Sequence, residues 1–223
     1  DLVVAGSTKS PDVPYTPGAF STAGEDAFVS VLSADLTRLI ASTSFGGVTT
    51  FVAVAVDRVQ SVAITPRGDI GIAGWTYSND LPTSPGAFQP DIVGVGLEGF
   101  LAIFEPSLST LRHCTYFGHS ANEVVLSLAF DDLGAPVVIG TTTSFFQFPT
   151  TAGAYMEAPV TDDPNNNMFV TRFSPDLSAL WYSTMIGGKN NDDNYVLFST
   201  ALAFDVDGSV AMGFGTAASD VPT

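Results

Sequence analysis

Apolar and polar residues alternate along much of this chain with a period of two. The stretches "DAFVSVLS" (26–33), "EGFLAIFE" (98–105) and "NMFVTRFS" (167–174) show it best. That period belongs to strands, whose successive side chains point to opposite faces. No stretch sustains the 3.6-residue period of an amphipathic helix, so the pattern predicts a chain almost free of helix. The longest apolar stretch, "FVAVAV" (51–56), has the length of a buried strand. A membrane helix needs about 18 apolar residues, and no run reaches that length.

The strand-like segments recur in a fixed order. A first strand reads "DLVVAGST" (1–8), "DIGIAGWT" (69–76), "APVVIGTT" (135–142) and "SVAMGFGT" (209–216), with Gly6, Gly74, Gly140 and Gly213 aligned at spacings of 68, 66 and 73 residues. The alternating stretch follows as the second strand. A tight connection comes next, "ADLTRL" (34–39), "PSLSTL" (106–111) and "PDLSAL" (175–180), whose composition suits a type I turn and whose central Leu36, Leu108 and Leu177 are expected to pin it to the core. The third strand is "IASTSFGG" (40–47), "RHCTYFGH" (112–119) and "WYSTMIGG" (181–188). The fourth is "SVAITPRGD" (61–69), "SLAFDDLGA" (127–135) and "TALAFDVDGS" (200–209), the last with Asp-Gly at a hairpin tip.

Between the first and second strands lies a Pro-Gly-aromatic segment, "VPYTPGAFST" (13–22), "LPTSPGAFQP" (81–90) and "FPTTAGAYME" (148–157), and "VPT" (221–223) begins a fourth copy. It is too long for a tight hairpin and too regular for a free loop. Proline fixes φ and glycine supplies an unusual backbone angle, while Phe20, Phe88 and Tyr155 are expected to anchor the connection.

A recurring four-stranded unit predicts tandem four-stranded antiparallel sheets stacked as the blades of a β-propeller. The repeats read as 1–68, 69–134 and 135–208, with the first strand of a fourth at 209–223. The expectation is therefore an all-β, incomplete propeller of three blades and a beginning. Closed propellers take four or more blades. The rest is expected from a longer chain, another copy or another protein. The segment "VTTFVAVAVDRVQ" (48–60) is an insertion in the first copy, expected to add a strand or to pair with a neighbouring chain.

The pattern resembles the bacterial β-propeller repeats known as the SBBP family. Its typical run is "VAGxT", "DFPTTPGAF", "DAFVAKL", "LVYSTYLGG" and "GIAVDxxGN". Here the second copy gives "IAGWTYSNDLPTSPGAF", the first "EDAFVSVLSADLTRLIASTSFGG", and the third "LSALWYSTMIGG" and "ALAFDVDGS". The match spans nearly the whole chain, in order. The resemblance implies an exported bacterial protein, extracellular or at the cell surface, set beside adhesive or repeat modules. It carries over no catalytic residue.

Composition narrows the partners. Of 223 residues, 45% are apolar and 13% charged, enough for a sizeable core and far from a disordered composition. Acids outnumber bases 23 to 7, for a net charge of −16. Such a surface repels phosphate backbones and anionic headgroups, so nucleic acid is excluded as a partner. The single Cys114 forms no intrachain disulfide, and no signal peptide is visible.

Candidate chemistry is thin. His113 and His119 fall in the second copy alone, and "GHSANE" (118–123) is not the G-x-S-x-G elbow of a hydrolase. Cys114 replaces Ser42 and Ser183 and reads as a buried, inert thiol. The acidic loops "TDDPNNN" (161–167) and "GGKNNDDN" (187–194) collect oxygen ligands that suit Ca²⁺, with Asp162, Asp163, Asp192 and Asp193 as the candidates, though without EF-hand spacing. Trp75, Tyr77 and Trp181 are the aromatics for a sugar surface. What recurs is Gly, Pro, Ala and aromatics, the residues of geometry and packing. The first expectation is a noncatalytic module for structure or protein–protein interaction, in a surface layer, filament or larger assembly, with other chains or its own copies as partners. The alternative is a Ca²⁺-dependent glycan-binding or adhesion module. A secreted lyase or hydrolase ranks behind both.

Overall fold

The computed structural model describes residues 1–10, 12–21, 27–48, 56–94, 96–144, 147–158, 167–187, 200–205 and 208–214. Among them every regular element is a strand: β1 (Leu2–Ser7), β2 (Ala27–Leu32), β3 (Leu39–Phe45), β4 (Asp57–Ile64), β5 (Ile70–Thr76), β6 (Glu98–Phe104), β7 (Leu111–Phe117), β8 (Glu123–Phe130), β9 (Pro136–Thr142), β10 (Asn167–Phe173), β11 (Leu180–Ile186), β12 (Thr200–Phe204) and β13 (Val210–Phe214). The first sheet has order β1-β2-β3, the second β4-β5-β6-β7 and the third β8-β9-β10-β11; β12 and β13 form a hairpin. All pairings are antiparallel.

The sequence repeat and the sheet are offset by one strand. The fourth strand of each repeat heads the sheet of the next, through a hairpin whose glycine takes positive φ: Gly68 at 89°, Gly134 at 79° and Gly208 at 83°. Each glycine donates its N–H to the residue three back, Thr65, Asp131 or Asp205. These are three-residue hairpin loops ending in a left-handed residue. The Asp-Gly tip expected at 205–209 is one of them. The end of the first-copy insertion, from Asp57, forms the start of β4 rather than an extra strand; residues 49–55 lie outside the described residues. Val210 faces Phe204 as Ile70 faces Ile64, so Gly213 falls one position before the place of Gly74 and Gly140.

Glycine at that place has a steric cause. β4 bulges between Val59 and Ser61, and β8 between Val125 and Ser127. The bulge brings the Arg58 carbonyl to 1.8 Å from where a Gly74 Cβ would stand, and the Val124 carbonyl to 2.1 Å from that of Gly140. No side chain fits there. Toward the strand on the other side Gly6, Gly74 and Gly140 pair with Phe28, Phe100 and Phe169, and the Phe28 and Phe169 rings come within 3.2 and 2.4 Å of where a Cβ of Gly6 and Gly140 would stand.

Successive sheets bury one another's faces. Val29, Val31 and Phe45 of the first sheet meet Ile70, Ile72, Phe100 and Phe104 of the second in one core. Leu101 and Ile103, on the opposite face of β6, meet Val125, Leu128, Phe169 and Phe173 of the third sheet in another. A smaller cluster joins Val137, Ile139 and Val170 to Leu202 and Phe204 of β12. Every residue of β6 is buried because both its faces are covered, whereas β2 alternates buried and half-buried residues. Backbones approach within 8 Å along the leading strands, β1 on β4, β4 on β8 and β12 on β8.

Candidate functional site

The Pro-Gly-aromatic segment is the most regular device in the molecule. In each copy Ala19, Ala87 or Ala154 donates its N–H to Thr16, Ser84 or Thr151, three residues back. The third residue of each turn is glycine at φ 80°, 79° or 80° (Gly18, Gly86, Gly153). Proline second and a positive-φ glycine third mark a type II turn; the third copy has Ala152 for the proline.

The turn is stitched to the outer strand of its own sheet. The N–H groups of Ser42, Cys114 and Ser183 donate to the hydroxyls of Thr16, Ser84 and Thr151 at 2.9, 3.2 and 3.0 Å. Beyond the aromatic, Ser21, Gln89 and Met156 donate their N–H to Thr43, Thr115 and Thr184 Oγ1, each at 2.9 Å. The segment thus occupies the edge of β3, β7 and β11 that would otherwise offer free backbone groups. Those six hydroxyls were missed in the sequence, although their recurrence at fixed places marks them.

The aromatic reaches the next sheet, not its own alone. Phe20 donates its N–H to the Leu108 carbonyl at 2.9 Å, and Phe88 to the Leu177 carbonyl at 2.8 Å. The rings follow, Phe20 edge-on to Phe104 at 5.7 Å and Phe88 edge-on to Phe173 at 6.1 Å. Leu108 and Leu177 are held at φ 56° and 57°, a left-handed angle that disfavours leucine. Both are fully buried, at 0% exposure, and that burial offsets the strain. The sheets are closest at their leading strands, and this clasp fills the space between their outer ones.

The first sheet carries the same parts, and among the described residues none covers them. Leu36 has the same φ, 59°, yet is 60% exposed. Leu2 and Val4 are 48% and 37% exposed, where Ile70 and Ile72 are 2% and 0%. Phe28 and Leu32 are half-buried where Phe100 and Phe104 are fully buried. At the far side, Tyr155 stands 64% exposed in the place of Phe20 and Phe88, and its N–H finds no acceptor among the described residues. Leu36 therefore does not pin its turn to a core, as Leu108 and Leu177 do.

Elsewhere the buried carboxylates are hydrogen-bonded. Glu98 is fully buried and accepts from Gln89 Nε2 (2.6 Å), Val93 N–H (2.7 Å) and Gly94 N–H (3.0 Å). Burial outweighs these donors and raises its pKa to about 7. Glu123 accepts from Thr142 Oγ1 at 2.7 Å and His119 N–H at 3.0 Å, tying down the "GHSANE" loop. Asp57 takes Gly47 N–H, Ser78 Oγ and Thr76 Oγ1. Cys114 is fully buried and desolvation pushes its thiol pKa up, which disfavours the reactive thiolate.

A cleft of about 720 Å³ opens between the turn ends of the second and third sheets, lined by Arg67, Asp69, Arg112, His113, Asp132 and Asp176 among others. Arg112 pairs with Asp69 at 2.9 Å. Asp176 is held at about 2 by the Ser174 and Ser178 hydroxyls, and burial lowers His113. Trp181 is half exposed with the Arg172 guanidinium 5.0 Å over its ring; Trp75 and Tyr77 lie edge to face at 5.9 Å. Asp162, Asp163, Asp192 and Asp193 lie outside the described residues. Among the described residues no three His, Cys, Asp or Glu side chains gather as metal ligands, and no helix is long and apolar enough to cross a membrane.

Compared with protein-family models and with curated proteins, the chain matches none.

Proposed function

We propose that this chain is a noncatalytic module for structure or protein–protein interaction, its sheets the blades of a β-propeller of the SBBP type, in an exported bacterial protein. One observation carries the reading: the device that joins successive sheets is a clasp made twice, Phe20 on Leu108 and Phe88 on Leu177, and the matching Leu36 turn of the first sheet has no such partner among the described residues. The sheets approach along leading strands and spread toward outer strands wedged by the Pro-Gly-aromatic segment, which is the taper a radial arrangement needs. An uncovered apolar face beside a repeated interface is the mark of an assembly surface rather than a catalytic one.

Calorimetric titration with Ca²⁺, with and without a glycan panel, tests the reading together with turnover assays on glycan, peptide and ester substrates. Flat isotherms and no turnover are expected. A saturable Ca²⁺-dependent glycan isotherm would favour adhesion instead, with Asp162, Asp163, Asp192 and Asp193 as the first residues to replace, and sustained turnover would make the module an enzyme.

A further inference from the structure

We infer that the cleft between the turn ends of the second and third sheets is the docking site for a peptide segment of a partner protein, one that carries a carboxylate and a cationic side chain close together. This rests on the interaction-module reading and gives it a place and a recognition chemistry.

The cleft lies inside the stack, between two sheets that each have all four strands. Four short connections frame it, and each is described throughout. The β4–β5 and β6–β7 turns belong to the second sheet, the β8–β9 and β10–β11 turns to the third. Its volume of about 720 Å³ falls within the range of ligand sites. The buried Ile103 lines it, and Pro66, Pro106, Pro175 and the 67%-exposed Leu133 add apolar contact.

Charge is sorted between its two walls. Arg67, Arg112 and His113 come from the second sheet, Asp132 and Asp176 from the turns of the third. The remaining carboxylate, Asp69, is taken by Arg112 Nε on its own sheet at 2.9 Å, which leaves the two Nη groups of Arg112 as donors. The other ion pair among the described residues, Arg172 with Asp131, lies within the third sheet. No ion pair among the described residues therefore crosses the cleft, although both signs line it. On the acidic wall Asp176 Oδ1 accepts the Ser174 and Ser178 hydroxyls at 2.6 and 2.8 Å, so the carboxylate stays ionised and its Oδ2 is left for a ligand.

That arrangement selects the occupant. Two of the chain's seven Lys and Arg residues stand on one wall, so a carboxylate meets donors there on a molecule whose net charge of −16 otherwise repels it. A purely anionic ligand faces Asp132 and Asp176, and a purely cationic one faces Arg67 and Arg112. A neutral sugar offers only neutral hydrogen bonds, which are about half as strong as charge-assisted ones. A ligand of both signs satisfies both walls at once. A peptide does so and also lays backbone and side chains on the prolines and Leu133, which a free amino acid leaves uncovered.

The test is NMR titration of the 223-residue chain with end-blocked peptides that hold a glutamate and a lysine across glycine spacers of graded length. Saturable shifts confined to the four framing turns and β7 are expected. Affinity should fall by about threefold or more when glutamine replaces the glutamate or norleucine the lysine. The bound carboxylate should raise the pKa of His113, which burial holds below 6.5 and on which Asp69, Arg112 and Asp176 already act. Arg67→Gln should shrink the difference between the glutamate and glutamine peptides, and Asp132→Asn that between lysine and norleucine. Both residues are exposed, so melting temperature should not change. No saturable shift at any spacer length, equal binding of the neutral controls, free glutamate or lysine binding as tightly as the peptide, or a neutral oligosaccharide shifting the same turns would overturn the inference. A chain that ignored these peptides, bound no glycan with Ca²⁺ and turned over no substrate would leave the module reading standing, so the two failures are distinguishable.

Discussion

Leucine at positive φ is costly for the backbone, by about 1–2 kcal/mol, and this chain does it at Leu36, Leu108 and Leu177. The cost is recovered where the side chain is buried, so position in the stack decides the effect of substitution. Leu108→Ala should destabilise the monomer by about 2–5 kcal/mol. Leu36→Ala, at the same turn position, should change it by less than about 0.5 kcal/mol. Denaturant melts of the two variants at low micromolar concentration check this; equal losses would mean that Leu36 is covered within one chain. Neither the left-handed angle nor the difference between the leucines is legible in the sequence, where the three turns read alike. Gly74 and Gly140 were legible as recurring, but their cause is a bulged carbonyl on the neighbouring strand, which only pairing reveals.

At the scale of elements, strands and their order follow directly from the period-2 pattern, because burial of one or both faces imposes it. The sheet frame does not, since a hairpin and a crossing segment differ in spatial reach rather than in composition. The offset places the carboxylates that head β4 and β8, Asp57 and Glu123, against the loops after β3 and β7. Glu98, at the start of β6, holds residues 93–94 by a buried carboxylate whose pKa is raised to about 7. The folded state keeps its proton to higher pH than the unfolded state, so this contribution is full below about pH 4.5 and declines as pH rises to 7. The decline amounts to about 3 kcal/mol. Glu98→Gln should remove that slope, and the stability difference between wild type and variant, followed from pH 4 to 8, measures it. A difference constant across that range would show that Glu98 titrates normally. The exposed Asp176 acts oppositely: its support is present above the usual aspartate pKa of 3.8 and lost as pH falls toward 2.

For the whole molecule, the second sheet is covered on both faces while the first bears apolar side chains that no described residue covers, on a chain of net charge −16. That charge repels acidic partners at long range, the cleft between the second and third sheets offers both signs at short range, and salt screens each. Raising ionic strength from about 0.01 to 0.3 M should therefore weaken binding of the mixed-charge peptide by about threefold. A contact made by apolar burial alone would hold its affinity instead, and titration at the two salt levels separates them. The sequence made the repeat and its lack of repeated chemistry plain. It did not show the clasp, because a hydrogen bond from one repeat's aromatic to the next repeat's leucine has no local signature.

The most direct measurement of that clasp is amide hydrogen exchange at Phe20, Phe88 and Tyr155, read by NMR in the dilute chain. The account predicts slow exchange at Phe20 and Phe88, whose N–H groups are bonded across sheets, and exchange near the unprotected rate at Tyr155. Fast exchange at Phe20 and Phe88, or protection at all three in the monomer, would contradict it.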